Sequence, residues 1–341
     1  MKKNSKMRGT LAILLLLCLF ITYATAENIS PTTGLPIPGE ATTPVVAVIS
    51  YGLGKDKVGR KTIEAPGLGK QQNWGGVQAD IVFESLLFEK GNSRLVFLYH
   101  DALVRREAIY AGPIRSLRAL HITIADVWNA GLVCRAASPY AASALEKCNG
   151  NLFEHWNRAL DSVLMQVDKK KMPDNISADV TAIYAMMENA PPIHTMWLFA
   201  DSTNTTKTQN VNEDEIVVPE SLTWGDIGHT TNFTYDPATN QYSWFANGAP
   251  MKSWCDYTCT EGAAFLFENV VILYAEHSFP TPLLPEIAME EGWSGAAIVY
   301  NNGAVQNGSW LMQDGQLLLL NEKGENMMLT PGKTYVAIQP I

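Results

Sequence analysis

The sequence predicts an α+β protein, with an N-terminal mixed α/β sandwich followed by a mainly β C-terminal domain. Three observations carry this. Between positions 45 and 200, short β-branched runs share the chain with stretches of helical apolar spacing. After position 231 the texture changes to short aromatic strands with Gly and Asn turns. Between the two lies Asp201 to Asn212, a polar stretch nearly without apolar residues. The expected layout is a signal peptide over 1–26, a leader arm over 27–44, the α/β domain over 45–200, a linker over 201–230 and the β domain over 231–341.

The N-terminus reads as a targeting segment. Lys2, Lys3, Lys6 and Arg8 precede an apolar run, Leu11 to Phe20, and Ala24-Thr25-Ala26 forms an A-x-A cleavage site. The run is short for a membrane span, and no later stretch is long and apolar enough for one. Cleavage after Ala26 makes the expected location extracytoplasmic: secreted or in the cell envelope, with no membrane span left. It also removes four positive charges, taking the net charge from −9 to −13. So acidic a chain does not present the broad basic face that nucleic acid requires.

Asn28 to Thr43, rich in Pro, Gly and Thr, predicts an extended arm. Val45 to Tyr51 predicts the first strand. The glycine-rich stretch that follows carries GLGK twice, at Gly52–Lys55 and Gly67–Lys70. A phosphate loop needs G-x-x-x-x-G-K-[ST]; here Asp56 and Gln71 follow the lysines, and a surface loop is the reading.

Asp80 to Phe88 and Arg94 to His100 predict a β-hairpin. Alternation places Glu84 in the apolar row of Val82, Leu86 and Phe88. A buried carboxylate must be paired, hydrogen-bonded or protonated. If Phe88 faces Arg94, then Arg94 and Glu84 share a face; a slip of one residue undoes this. After Gly112-Pro113, apolar residues at Leu117, Leu120, Ile124 and Val127 predict a helix over Arg115 to Trp128. Arg115, Arg118 and His121 then lie near one another. Arginine in a first helical turn is locally unfavourable unless an anion or carboxylate is held there. Glu84, Glu89 and a bound ligand are the candidates, and burial of the arginines as structural ion pairs is the competing reading.

Gly131 to Arg135 predicts a strand, Ser138-Pro139 to Lys147 a helix, Asn151 to Arg158 a loop, Ala178 to Asn189 a helix and Ile193 to Phe199 a strand. Strands are then expected at Phe233–Tyr235, Gln241–Phe245, Val270–Ala275, Ala296–Tyr300, Gly308–Met312, Gln316–Asn321 and Tyr335–Gln339. Asn302-Gly303 and Asp314-Gly315 are hairpin turns.

Cleavage leaves four cysteines, Cys134, Cys148, Cys255 and Cys259. Outside the cytosol an even count predicts two bridges, and the economical pairing is Cys134–Cys148 with Cys255–Cys259. Three connectivities are possible, and four buried thiols are the alternative. No metal site is expected, because the C-x-x-x-C at Cys255 lacks a second ligand pair.

The leader NISPTTGLPI, the stretch GVQADIVFESLLFEKGNSRLVFLY, the motif AGPIRSLRAL and the closing VQNGSW to TPGKTYVAIQP together resemble the YerB-like family of bacterial lipoproteins. That family consists of paired N- and C-terminal domains of unknown function. The resemblance implies an exported cell-envelope protein. It puts weight on Asp80, Glu84, Glu89, Arg94, Gly112, Pro113, Arg115, Ser116 and Arg118. It carries no reaction and no cofactor. The sequence departs from the family where Cys134-Arg135-Ala136 and Pro173-Asp174-Asn175 replace motifs that hold a histidine. Trp310 is followed by Leu311 rather than Lys, and Leu17 before Cys18 breaks the lipobox.

No complete catalytic motif is present: no G-x-S-x-G, no H-E-x-x-H and no Cys-His signature. The first functional expectation is therefore a non-catalytic binding or structural module of the envelope. Its acid/arginine cleft, built from Asp80, Glu89, Arg94, Arg115, Ser116 and Arg118, would take an anionic cell-wall or small-molecule ligand, or an envelope protein partner. The alternative is an envelope-directed hydrolase or transferase. Glu84 would be its acid or base, and Arg94, Arg115 and Arg118 would stabilise a developing anion.

Overall fold

A computed structural model describes residues 28–38, 44–53, 73–89, 91–137, 141, 145, 151–168, 174–187, 197–200, 216–226, 228–281 and 284–341. The signal peptide, both lysines of the GLGK repeats, Cys148, most of the helix expected from Ser138 and the polar stretch Asp201 to Asn212 lie outside the described residues.

The architecture is mainly β. Ten strands form one sheet: β1 (Val46–Tyr51), β2 (Ile81–Leu86), β3 (Ser93–Tyr99), β4 (Gly131–Cys134), β5 (Leu152–Glu154), β6 (Asn269–Ala275), β7 (Ser294–Asn301), β8 (Ala304–Gln313), β9 (Gln316–Asn321) and β10 (Thr334–Pro340). Their order is β9-β8-β7-β6-β10-β2-β3-β1-β4-β5. The last strand of the chain, β10, lies between β6 and β2 and runs parallel to both. β1, β4 and β5 also run parallel to one another, while β2–β3 and β1–β3 are antiparallel. The central strands are apolar on both faces, as strands covered on both sides must be.

One face carries Val82, Leu95, Phe97, Tyr99 and Tyr335, packed under Trp224, Phe233, Trp244, Phe265 and Phe267 from a smaller five-stranded sheet. The other face carries Ile81, Phe83, Val96, Leu98 and Val336, covered by Ile122, Ile124, Val127, Trp128 and Trp197. Each of these large side chains contributes about 2–3 kcal/mol on burial.

Four expectations are corrected. The α/β sandwich gives way to a mainly β architecture because the expected helices are short. α1 (Asp101–Val104), α2 (Ala119–Val127) and α3 (Val180–Ala185) are the α-helices described. α2 starts four residues later than its apolar spacing implies. Arg115 N–H donates to Ile49 O (2.8 Å), Leu117 N–H to Ala136 O (2.9 Å) and Arg135 N–H to Arg115 O (3.0 Å), holding 115–117 extended. Arg115 is thus outside the helix, and Arg118 is its N-cap residue. Residues 151–158, expected as a loop, include edge strand β5. The start of the helix expected at Ala178 is instead the strand Ile176–Asp179, with Asp179 capping α3 through Ala182 N–H (2.9 Å).

The Cys255–Cys259 bridge is also corrected, since both residues are free thiols. Asp256 accepts the Thr258 N–H (2.7 Å) and hydroxyl (2.5 Å), building a tight turn. Cys259 sits in it at φ 56°, its Sγ lying 3.6 Å from Tyr257 O. Cys134 is buried at the end of β4, and its expected partner Cys148 lies outside the described residues. The hairpin turns at Asn302-Gly303 and Asp314-Gly315 form as expected, all four residues having positive φ.

Candidate functional site

The strand register separates residues that the sequence reading grouped together. Across the β2–β3 hairpin, Glu84 faces Leu95 and Ser85 faces Arg94. Glu84 and Arg94 therefore project from opposite faces. Phe88 and Arg94 do not oppose each other, because Leu86 pairs with Ser93 and the chain turns through Phe88–Asn92. Three separate clusters result.

The first surrounds Glu84, which has 0% exposure. Its Oε1 accepts the Ser93 hydroxyl (2.5 Å) and its Oε2 the Tyr335 hydroxyl (2.5 Å). His229 Nε2 lies 2.9 Å from Oε1, outside hydrogen-bond alignment. His229 stacks on Trp224, with ring centroids 5.9 Å apart. Ser93 Oγ also accepts Leu53 N–H (3.0 Å). Glu84 and Ser93 belong to the N-terminal half of the chain, His229 and Tyr335 to the C-terminal half. The loop bearing His229 approaches the hairpin so closely that a methyl on Gly91 (φ 118°) would collide with Gly228 backbone. This cluster joins the halves and leaves the carboxylate no open side. Burial and Glu84 push the Tyr335 hydroxyl well above its ordinary range, keeping it a donor.

The second cluster fixes the leader arm. Asp80 Oδ2 accepts Thr32 Oγ1 (2.9 Å), His100 N–H (2.8 Å) and Asp101 N–H (3.0 Å). Asp101 accepts the Ser30 hydroxyl and the Thr33 hydroxyl (2.5 Å), and lies 3.1 Å from His100 Nδ1. Burial, then the neighbouring Asp101, raise Asp80 to about 7. Asp101 is held below its ordinary value despite burial, because His100, Ser30 and Thr33 hydrogen-bond to it. Asp80, His100 and Asp101 offer ligand atoms within 4.8 Å of one another, a donor set metals use. The arm hydroxyls and two backbone N–H groups hydrogen-bond these carboxylates, so the same atoms that a metal would use tie down the arm. Sequence reading placed Asp80 among ligand-binding residues and missed its Ser30, Thr32, Thr33 and Asp101 partners. The signal was there: three hydroxyl residues in Ile29 to Ile37, a stretch otherwise made of Pro, Gly and apolar residues.

The third cluster is basic and lies on the α2 side of the sheet, where the parallel strands β1, β4 and β5 end. Arg94 pairs with Tyr51, the last residue of β1. Arg115 is bonded beside Ile49, and Arg135 follows Cys134, the last residue of β4. Arg115 Nη1 donates to Asp174 Oδ1 (2.6 Å). Arg118 bonds through Nη1 to Leu117 O (2.9 Å), and its buried Nε has no hydrogen-bond partner. His121 Nδ1 accepts Arg118 N–H (3.1 Å), which requires the uncharged ring. Burial, then Arg94 and Arg118, hold His121 well below its ordinary range. Burial, then Arg115, lower Arg118. Ser116 is half-buried on the same stretch. Glu89 is exposed in the hairpin turn and belongs to none of the three clusters. The expected acid/arginine cleft is thus divided: the acids Glu84 and Asp80 are enclosed elsewhere, and the arginines lie with Asp174 at the other end of the sheet.

Comparison with known proteins bears out the family resemblance. Residues 69–193 match the model of the N-terminal domain of a protein family of unknown function (DUF3048), and residues 221–336 match its C-terminal domain. No curated protein matches. The crystal structure of YerB protein from Bacillus subtilis is similar with a TM-score of 0.68 and 19% identity, over 92% of this chain and 96% of that one. At that identity the likeness is one of fold. Among the described residues, no helix is long and apolar enough to cross a membrane.

Proposed function

The chain belongs to the DUF3048 family, and from that premise we propose that it is an exported, non-catalytic binding module of the bacterial cell envelope. Its ligand is anionic and docks where β1, β4 and β5 end. The observation that carries this is the division between Glu84 and the arginines. Glu84 is enclosed by Ser93, Tyr335 and His229. Arg115, Arg118 and Arg135 are half-buried on the other side, in reach of solvent. A general acid or base must come within hydrogen-bond reach of its substrate, and Glu84 has no exposed surface for that encounter. Ligands of sheets with parallel strands collect outside the carboxyl ends of those strands, and this is where the basic side chains meet. The basic residues, apolar run and A-x-A site of the N-terminus support export.

Two measurements test the reading. Residues 1–30 fused to an enzyme active only outside the cytoplasm should give activity, and a silent fusion would refute export. Titration of the full mature chain with anionic and neutral wall fragments should show binding of the anionic ones alone. Binding that vanishes in Glu84→Gln but survives in Arg118→Ala would return the site to Glu84.

A further inference from the structure

We propose that Glu84 and His229 form a proton-operated clasp between the two halves of the chain, tight when the His229 ring is protonated and slack when it is neutral. This concerns the closed cluster and is independent of the anion-binding reading. His229 carries the first observation. The residue is 3% exposed, and neither Nδ1 nor Nε2 has a hydrogen-bond partner. Buried polar atoms are nearly always satisfied, so two orphans on one ring make the neutral form costly to enclose.

Glu84 carries the second observation. It has no exposed surface, and both of its oxygens accept from hydroxyls, the pattern of an ionised carboxylate. Ser93 and Tyr335 supply hydrogen bonds but no positive charge. A buried carboxylate calls for a cation as well. Among the described residues, the base within salt-bridge distance of it is His229, whose Nε2 lies 2.9 Å from Oε1. A proton on the ring would place that missing charge beside the carboxylate.

The mount of the ring favours the same state. His229 lies over Trp224 with centroids 5.9 Å apart and planes 15° from parallel, within the range where a cation gains from an aromatic face. Trp224 is itself fixed: its Nε1–H donates to Thr231 Oγ1 (3.1 Å) and its backbone N–H to His229 O (3.0 Å). A methyl on Gly228 would lie 1.6 Å from Trp224 O, so the loop is wound too tightly to take a side chain there. The groups around the ring are Glu84 from β2, with Tyr335 of β10 and Ser93 of β3 behind it, and Trp224 from its own loop. The other described charges on the loop and on the hairpin turn beside it are Asp226 and Glu89, both exposed to solvent. Glu84 and Ser93 belong to one half of the chain, His229 and Trp224 to the other. The joined halves therefore hold a proton that separated halves release, so acid favours closure and rising pH loosens it.

The test combines two measurements on the full mature chain. Nitrogen NMR of the histidine rings, assigned through the backbone, should show His229 as imidazolium at pH 5.5. Urea unfolding should be followed at pH 5.5 and pH 8 in the Asp80→Asn background, which removes another buried group that titrates in this window. The folding constant should fall at least tenfold more over that interval than in the matching chain that also carries His229→Asn. Glu84→Gln, which keeps the shape and loses the charge, should flatten the profile in the same way. Parallel profiles with and without His229 would overturn the clasp. A His229 ring that stays neutral at pH 5.5 would overturn it too, and this readout needs no variant to fold.

Discussion

Ser93 and Arg94 are neighbours in sequence and opposites in environment. Ser93 turns into the closed cluster that joins the halves, donating to Glu84. Arg94 turns to the other face of the sheet, toward His121 and α2. The closed cluster balances each polar atom of Glu84 with a hydroxyl donor and excludes water. The basic end accumulates like charge around an arginine whose Nε is unsatisfied. The contrast teaches that ionisable residues on one hairpin can end in two different environments on opposite faces of a sheet. The two-residue period of the strand decides which.

Four substitutions break or sharpen that contrast. Glu84→Ala should have the largest effect, destabilising by about 3 kcal/mol or more, because Tyr335 and Ser93 lose a buried acceptor. Urea unfolding measures it, and a loss below about 1 kcal/mol would show that the cluster does not bind the halves together. Asp80→Asn should change the pH dependence of stability. The folded-state value of Asp80 is raised to about 7, so its contribution is complete below pH 4 and is lost as pH rises through 7. The wild type should therefore lose up to about 1.4 kcal/mol per pH unit over that window from this group. Asp101, held low, contributes in the opposite sense: its stability is lost as pH falls through its folded-state value. The difference between wild type and Asp80→Asn isolates Asp80, and parallel curves would show that its proton plays no part. Arg118→Ala should cost about 1 kcal/mol of stability or less while removing most anion affinity; equal losses of both would make the basic end structural. Glu89→Gln, in an exposed turn, should stay within about 0.5 kcal/mol of wild type and bind unchanged.

Strands were the legible part of the sequence. Gln316–Asn321 has the expected bounds, and the hairpin is displaced by a residue or two at its ends. Glu84 stood out because a carboxylate in an apolar row must have partners. Which partners could not be read. Tyr335 lies 251 residues away and arrives only because β10 inserts beside β2. The pairing of Arg94 with Glu84 failed on register. The turn Phe88–Asn92 places Leu86, not Phe88, opposite the start of β3. The start of α2 was missed because backbone bonds to β1 and to the segment after β4 override apolar spacing. The grouping of Arg115, Arg118 and His121 survived that shift, since both the extended stretch and the helix turn keep them at one end of the sheet.

The position of β10 also sets an order of events for the newly made chain. Residues 334–340 follow every other strand of the sheet in sequence, yet they fill its middle. Until they arrive, β2 and β6 present unpaired edges, and Glu84 lacks the Tyr335 hydroxyl. A chain truncated before residue 334 would thus lose far more than its last segment. It would hold two sticky half-sheets in one polypeptide, the kind of species that proteases and aggregation remove. Strand β10 is the seam that makes one sheet of two.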